Sequence, residues 1–511
     1  MTEPHEDLAQ RLTTARAFAS ERARARPHSK EARTVRQCIE ELLDPGSFVE
    51  VGTLAHSERP EHRDVTPGDG KVGGHGRMGG RSVTVVGDEP GIKHASTAMV
   101  GSVKVQRLYE QAMAAGNPFI YLGQTGGARL PDVLGSEGHS RLDPMAYMSR
   151  RRRQIPLVTV IVGQSFGGSS LISALSDFTV QVRGSCLAVT SPLVISEATG
   201  EEISYEDLGG GDVHGRQTGQ IDLGVETFAD AAVAVAHFLS FLPQNRWSPA
   251  EVARVDQGVE RDEGIRNIVP TNQRQAYDMR AVISRLVDEG DFFEARPDVG
   301  GGLLTGLARI NGFAVGVVAS QPMTLAGAIT PKGCDKAVRL LCTCDSFGLP
   351  VVFLQDTPGF LVGSEVEHQG MLFKAMLLHQ ALAMASTPLL TLIIRKSYGL
   401  ATACLGGMGT GTDTVWAWPD ARMGFMDPQV AVRIIQRREL EHLSPEERRR
   451  EVETRAAAIA EDNSIYGAAG MMRVDEVIDP AETRLRLAIR LDELSGREAT
   501  DSFLASWPVS W

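Results

Sequence analysis

Short apolar runs alternate along the chain with longer segments in which apolar residues recur at helical spacing, and this alternation predicts strands and helices in the layers of an α/β protein. The sharpest run, Ile155-Pro-Leu-Val-Thr-Val-Ile-Val162, is apolar and β-branched, stops at a small-residue turn around Gly167-Gly168, and continues into a helix-competent segment. A second run of the same design, Thr387-Pro-Leu-Leu-Thr-Leu-Ile-Ile394, stops at Gly399. One ungapped offset (388 − 156 = 232) places Pro156 on Pro388, Thr159 on Thr391, Ser165 on Ser397 and Gly167 on Gly399. Upstream the same offset pairs Gly80 with Gly312, Pro90 with Pro322, Gly101 with Gly333, Lys104 with Lys336, Pro118 with Pro350, Thr125 with Thr357 and Gly127 with Gly359. One unit has been duplicated. Each copy reads as a buried parallel strand feeding a helix, and the turn between them exposes backbone N–H groups that have no partner inside the helix. Such groups aimed at one point form an oxyanion hole.

Taken in order, residues 1 to about 45 read as helical, ending at the turn Asp44-Pro-Gly46. Strands are expected at 47–51 and 82–86 on either side of a turn-rich stretch at 66–70, then a helix at 102–115, a strand at 119–122 and a turn at 124–129. The segment Glu206-Asp-Leu-Gly-Gly-Gly-Asp-Val-His-Gly215 reads as a loop too rich in glycine to be core. A Pro- and Asn-punctuated stretch from about Pro243 to Thr271 separates the halves, giving domains at 1–260 and 261–511. The charged run Pro445-Glu-Glu-Arg-Arg-Arg-Glu451 reads as a solvated helix face.

At 511 residues the chain exceeds one ordinary core, and two similar domains are expected. Net charge is −12, which argues against nucleic acid or an anionic membrane as the main partner. The six cysteines form no CxxC pair and no zinc-type set with histidine; they read as reduced thiols of a cytoplasmic protein, and no metal is expected. No apolar run reaches the length of a membrane span or resembles a signal peptide, and acidic residues near the N-terminus count against a transit peptide.

Several stretches carry a resemblance to a known family: Leu42-Leu-Asp-Pro-Gly-Ser-Phe-Val-Glu50, Gly126-Gly-Ala-Arg129, Phe166-Gly-Gly168 followed by Ala174-Leu-Ser-Asp-Phe-Thr179, and Glu206-Asp-Leu-Gly-Gly210 with His214. The second half adds Ala319-Ser-Gln-Pro-Met323, Asp356-Thr-Pro-Gly-Phe-Leu361, Arg395-Lys-Ser-Tyr-Gly399 and Ala417-Trp-Pro419. Over nearly its whole length the chain resembles the carboxyltransferase β subunits of biotin-dependent acyl-CoA carboxylases, of the propionyl-CoA and acetyl-CoA carboxylase kind.

The resemblance implies two tandem crotonase-like (ClpP/crotonase) domains, a homohexamer, and a reaction in which a carboxyl group passes from carboxybiotin to the α-carbon of an acyl-CoA, giving a malonyl-CoA-type product through an enolate. In the family the acyl-CoA and the biotin meet between the N domain of one subunit and the C domain of its neighbour. By motif match, the N–H groups of Gly167 and Gly168 serve one oxyanion hole and those of Leu400 and Ala401 the other. Biotin supplies the base, so no catalytic triad is required. No ATP-binding segment and no biotin-accepting Met-Lys-Met motif is present, so a biotin carboxylase and a biotin carboxyl carrier are expected as separate partners.

Gly126, Gly127, Ala128 and Arg129 serve equally well as substrate contacts or as a strand-to-helix turn. Lys104 and Lys336 are candidates for the phosphates of CoA, as are Lys332, Arg395 and Lys396, against the commoner solvated lysine. Arg150-Arg-Arg-Arg153 reads mostly as a solvated face, His214 and His368 as structural or polar site residues, and Asp356 as a turn-fixing residue. Gly399, Thr402 and Ala403 complete the second candidate site. The family's Phe-Gly-Gly-Ala-Tyr is here Tyr398-Gly-Leu-Ala-Thr402, position 403, a determinant of acyl size, is alanine, and Met-Gly-x-x-Gly-Ala becomes Met426-Asp-Pro-Gln-Val-Ala431. These departures leave open the acyl preference and two further readings, a decarboxylase of malonyl-type CoA and an inactive scaffold paralogue.

Overall fold

The computed structural model describes residues 3–24, 33–142, 145–253, 260–497 and 501–507. The chain divides into two compact units, Met1–Pro249 and Ala250–Trp507. Residues 254–259, beside the expected boundary at 260, lie outside the described residues, as do 25–32, which include the end of the N-terminal Arg-rich run.

The first unit is built on a sheet in the order Val49–Glu50, Lys71–Met78, Arg81–Asp88, Phe119–Gly123, Leu157–Ile161, Phe178–Val182, Leu223–Val225. The first two pairings are antiparallel and the others parallel. Phe119–Gly123 and Leu157–Ile161 are buried at every position, which is why they read as unbroken apolar runs instead of alternating ones. Helix Met99–Ala115 covers the sheet through Val105, Leu108 and Ala112, and ends at Gly116 in the left-handed region.

The second unit repeats the plan with strands Phe292–Ala295, Leu303–Ile310, Phe313–Ser320, Val351–Thr357, Leu389–Tyr398, Thr414–Ala417 and Glu476–Val477, and Arg422–Gly424 pairs with the end of Leu389–Tyr398. Moving Lys71–Met78 and Arg81–Asp88 by the sequence offset reproduces Leu303–Ile310 and Phe313–Ser320 at both ends. Helix Met99–Ala115 becomes Pro331–Ser346, and even the isolated bridge Thr97–Ala128 recurs as Ile329–Phe360.

The units diverge after the glycine turn. The helix Gly168–Leu175 of the first unit shrinks to Ala401–Cys404 in the second, which then inserts helices Pro428–Ile435 and Pro445–Asp462 with a small core of Val432, Leu440, Val452 and Ala456. No helix among the described residues is long and apolar enough to cross a membrane.

The segment 206–215 corrects the expectation of a loop outside the core. It carries a helix at Tyr205–Gly209 and a wide helical turn at Val213–Thr218. Its glycines are there for close approach: a Cβ on Gly209 would lie 2.1 Å from the Leu187 carbonyl oxygen. His214 is buried and structural, with Nε2 donating to Leu187 O at 2.6 Å and Nδ1 2.9 Å from the Thr218 hydroxyl.

Candidate functional site

In each unit three turns converge where neighbouring parallel strands end, the place at which ligands collect in such sheets. In the first unit they follow Arg81–Asp88, Phe119–Gly123 and Leu157–Ile161. Gly126 donates to the His94 carbonyl at 3.0 Å, Thr97 to that of Gly127 at 2.8 Å, and Arg129 to that of Thr97 at 2.8 Å. The Cα of Gly127 stands 3.6 Å from the point a Cβ on Gly167 would occupy. In the second unit Ile329 donates to Gly359 at 3.1 Å and Leu361 to Ile329 at 2.8 Å, the same ladder moved by the offset.

Past the strand Leu157–Ile161 and the short strand Gln164–Ser165 stands Gly167, whose backbone (φ 61°, ψ −126°) is strained for residues with a Cβ, and the helix Gly168–Leu175 starts at once. Gly399 (φ 65°) makes the same turn. The structure corrects the donor assignment here. Gly167 spends its N–H on the Val189 carbonyl at 3.2 Å, and Gly399 spends its N–H on that of Gly424 at 3.0 Å. Neither is available to a ligand. The first N–H groups after each turn, those of Gly168 and Ser169 in the first unit and of Leu400 and Ala401 in the second, are among those with no acceptor inside their helix. The offset maps Leu400 and Ala401 onto Gly168 and Ser169. The Ser169 hydroxyl lies 2.6 Å from Ser165 Oγ, and the residue is buried.

Leu400 fits without strain, at φ −63° and ψ −24°, and its side chain is 51% exposed. At the equivalent Gly168 nothing lies within 4 Å of a built Cβ. The substitution therefore keeps the N–H and places an apolar side chain where the first unit is open. Thr402 is held beneath the turn, its hydroxyl accepting from Ser397 Oγ at 2.9 Å and its carbonyl accepting from Gln355 Nε2 at 3.3 Å. Ala403 follows it, half-buried.

The predicted phosphate lysines are corrected by their burial. Lys104 is 6% exposed, with Nζ donating to Gly52 O at 3.0 Å and Lys71 O at 2.7 Å, and burial lowers its pKa to about 8. Lys336 is 1% exposed, with Nζ 3.4 Å from Arg296 O, and burial likewise lowers its pKa to about 8. Both ammonium groups are committed to backbone, away from any docking phosphate.

Arg129 is buried and ion-paired to Asp69, so in the turn 126–129 only Gly126 and Ala128 face outward. Arg151 and Arg153 are not a solvated face: both pair with buried Asp177, whose other oxygen accepts from Leu157 N at 2.9 Å and fixes the start of the central strand.

Asp356 ties its strand to the neighbouring one, accepting from Arg395 Nε at 3.0 Å and Lys396 N at 3.2 Å, and the turn itself is bonded through Thr357 Oγ1, which accepts from Gly359 N at 3.2 Å. Arg395 is 2% exposed, lies 5.0 Å over the Tyr277 ring and donates to the Gln275 carbonyl at 2.8 Å. Lys396 is half-buried, and desolvation lowers its pKa despite nearby Asp356. Lys332 and His368 are exposed. Among the described residues no group of acidic, histidine and cysteine side chains is arranged to hold a metal.

Residues 26–503 match the family described as the carboxyl transferase domain. The chain is 33% identical over 501 residues to the methylmalonyl-CoA carboxyltransferase 12S subunit of Propionibacterium freudenreichii subsp. shermanii, covering 97% of this chain and 95% of that one. It is 37% identical over 518 residues to a propionyl-CoA carboxylase beta chain of Saccharopolyspora erythraea, covering 96% and 93% respectively. The crystal structure of transcarboxylase 12S, described as a hexamer with methylmalonyl-coenzyme A and methylmalonic acid bound, superposes with a TM-score of 0.89 at 32% identity, over 98% of this chain and 97% of that one.

Proposed function

The chain belongs to the carboxyl transferase domain family, as a carboxyltransferase subunit of the biotin-dependent acyl-CoA carboxylases with two crotonase-like domains, and from that premise we propose how its two units divide the reaction. The first unit takes the acyl-CoA thioester, whose carbonyl oxygen accepts from Gly168 N and Ser169 N while the α-proton is removed. The second unit, through Leu400 N and Ala401 N, takes the ureido carbonyl of biotin brought by a separate carrier. Bound there, biotin supplies the carboxyl group and the base. The backbone donors supply position and hold negative charge on oxygen as it develops, and one such donor contributes about 2.7–4 kcal/mol to a transition state.

The observation that carries this reading is the pair of turns at Gly167 and Gly399, alike in φ and in the use of their own N–H, which leaves matching donors one position later. The second pair suits a single carbonyl oxygen, because Leu400 changes the side chain and not the donor. A hexamer of this chain is part of the proposal and is supported by exposed apolar side chains such as Phe373 (77%) and Ile435 (75%). Six buried cysteines, none of them in a disulfide, support a reducing compartment such as the cytoplasm.

The test is mass spectrometry of malonyl-CoA and methylmalonyl-CoA incubated with the protein, with and without a biotinylated carrier. Loss of CO2 that depends on biotin is the expected result, and the better substrate reports the acyl preference. Loss without biotin would replace this reading with a decarboxylase. No turnover of these or of longer acyl chains would favour a scaffold.

A further inference from the structure

A lysine and an aspartate are buried together beside the turn that borders the first hole. Lys71 is 1% exposed and Asp88 is fully buried. The ammonium uses all three of its protons there, on Asp88 Oδ1, on Ala95 O at 3.3 Å and on Thr97 Oγ1 at 3.2 Å. Asp88 also accepts from the Tyr121 hydroxyl at 2.9 Å and, through its other oxygen, from Gln124 N at 3.0 Å. The Ala95 carbonyl accepts a second bond, from Thr125 Oγ1 at 2.8 Å.

What these bonds hold is strained backbone. Lys93, His94 and Ala95 all lie in the left-handed region, at φ 49°, 58° and 52°. That conformation is costly for residues with a Cβ and persists where the surroundings enforce it. The turn is bonded in its own right to the glycines of the hole: Gly126 N donates to His94 O at 3.0 Å and Gly127 N to Thr125 Oγ1 at 3.1 Å. Gly127 Cα in turn stands 3.6 Å from the point a Cβ on Gly167 would occupy.

The second unit keeps the turn, as Leu325, Ala326 and Gly327 at φ 50°, 55° and 83°, and dispenses with the ions. The offset carries Lys71 onto Leu303, Asp88 onto Ser320 and Tyr121 onto Phe353, all fully buried. Ser320 Oγ has no hydrogen-bond partner among the described residues. The third place of the turn changes with them, from Ala95 to Gly327, a residue that takes a positive φ without strain. Taking two charges out of water is costly, and apolar residues of similar volume often serve stability as well. The same strands stand without the pair in the second unit. A left-handed residue with a Cβ at the third place is what only the first unit has to hold.

We infer that Lys71, braced by Asp88, is a positioning residue for the first hole: it holds Ala95 in the left-handed turn against which Gly126 and Gly127 are set, and through them it fixes the turn at Gly167. This rests on the reading of the first unit as the acyl-CoA side.

The test compares K71M/D88N and K71L/D88S/Y121F, each with and without A95G. The first removes the ammonium and leaves an acceptor for Gln124 N, the second installs the second unit's own residues, and neither strands a charge in the core. Amide hydrogen exchange at residues 92–97 and 124–127 is expected to rise about tenfold in both, and to return to within about twofold of the wild type once A95G is added, because glycine takes the turn without being held. The kcat of carboxyl transfer follows the same course, falling about tenfold and recovering with A95G, while KM for the biotinylated carrier is unchanged. A pair serving only the stability of the fold would instead speed exchange across the whole sheet and leave kcat per folded molecule as it was. Exchange at the turn that ignores the loss of Lys71, or that quickens and is not restored by A95G, would overturn the inference, as would an unchanged kcat. Either variant carries the comparison if the other fails to fold, and failure of all four would also overturn it, since the second unit's residues and glycine would then not support the turn. If the wild type transfers no carboxyl group, the proposed function falls and the exchange comparison decides the inference by itself.

Discussion

Gly167 and Gly399, equivalent across the repeat, both use their own N–H groups to pin a distant segment, Gly167 on the Val189 carbonyl at 3.2 Å and Gly399 on the Gly424 carbonyl at 3.0 Å. Each glycine is thus the pin of its turn, and the proposed ligand donors begin at the next residue. Alanine at either position would have to adopt φ near 61° or 65°, at a cost of order 1–3 kcal/mol. Gly167→Ala is expected to lower the melting temperature and to reduce kcat more than tenfold by tilting Gly168 N and Ser169 N. Gly168→Ala, with open space around it, is expected to do neither. Parallel melting curves and steady-state rates decide it, and equal behaviour of the two variants would remove the distinction drawn between pin and donor.

Leu400→Gly restores at the second hole what the first has. Leu400 is half in solvent and in ordinary helical geometry, so the change should cost no more than about 1 kcal/mol of stability. The expected functional effect is a changed KM for the biotinylated carrier, the ligand assigned to this hole, with KM for acyl-CoA held. An unchanged carrier KM would show that the leucine side chain stands clear of that ligand.

Lys104 and Lys336 make a pH prediction. Each has a folded pKa of about 8 against 10.5 for the free side chain. Between those values the unfolded chain holds a proton that the folded one has released, so stability contributed by each lysine rises with pH from about 8 to 10.5, by on the order of 3 kcal/mol. Buried Cys38 and Cys404, raised to about 12 by desolvation, act in the opposite sense. The informative quantity is therefore the wild type minus K104M/K336M difference in denaturation midpoint at pH 7.5 and pH 10. That difference should move in favour of the wild type at the higher pH. KM for acyl-CoA should be the same in both proteins, since neither ammonium group reaches a ligand.

The duplication, the central strands and the glycine turns were legible because each is written locally. Phe119–Gly123 and Leu157–Ile161 are buried on both faces and so are apolar but for Tyr121 and Thr159, whose hydroxyls are hydrogen-bonded inside the fold, and Gly167 is strained by any Cβ at its backbone angles. What was not legible depends on partners distant in sequence. Gly167 reads as a free donor until Val189 is seen to accept from it, and Lys104 reads as a surface cation until Gly52 and Lys71 are found around it. The glycines at 209–211 looked like loop because composition does not report that Leu187 passes 2.1 Å from where a Cβ would stand. The left-handed turn at Lys93-His94-Ala95 has no sequence signal, for none of the three is a residue that favours that region without cost.

His214 links burial to the first hole. Its Nε2 donates to Leu187 O, and Leu187 lies two residues before Val189, whose carbonyl pins Gly167. His214→Ala leaves the Leu187 carbonyl buried without its donor, at a cost of about 1–3 kcal/mol. Because the imidazole positions the pin and touches no ligand, kcat should fall while KM for acyl-CoA holds. Desolvation lowers the pKa of His214 below 6.5, so as the pH drops through 6.5 the unfolded chain takes up a proton that the folded chain resists. The stability contributed by neutral His214 is present above pH 6.5 and is lost progressively below it. Thermal denaturation at pH 7.5 and pH 5.5 should therefore show a smaller gap between wild type and His214→Ala at the acidic value. A gap that stays constant would mean that the ring takes up its proton at the same pH in the folded and unfolded chains, and a gap that widens at the acidic value would mean that the bond to Leu187 is made by an imidazolium.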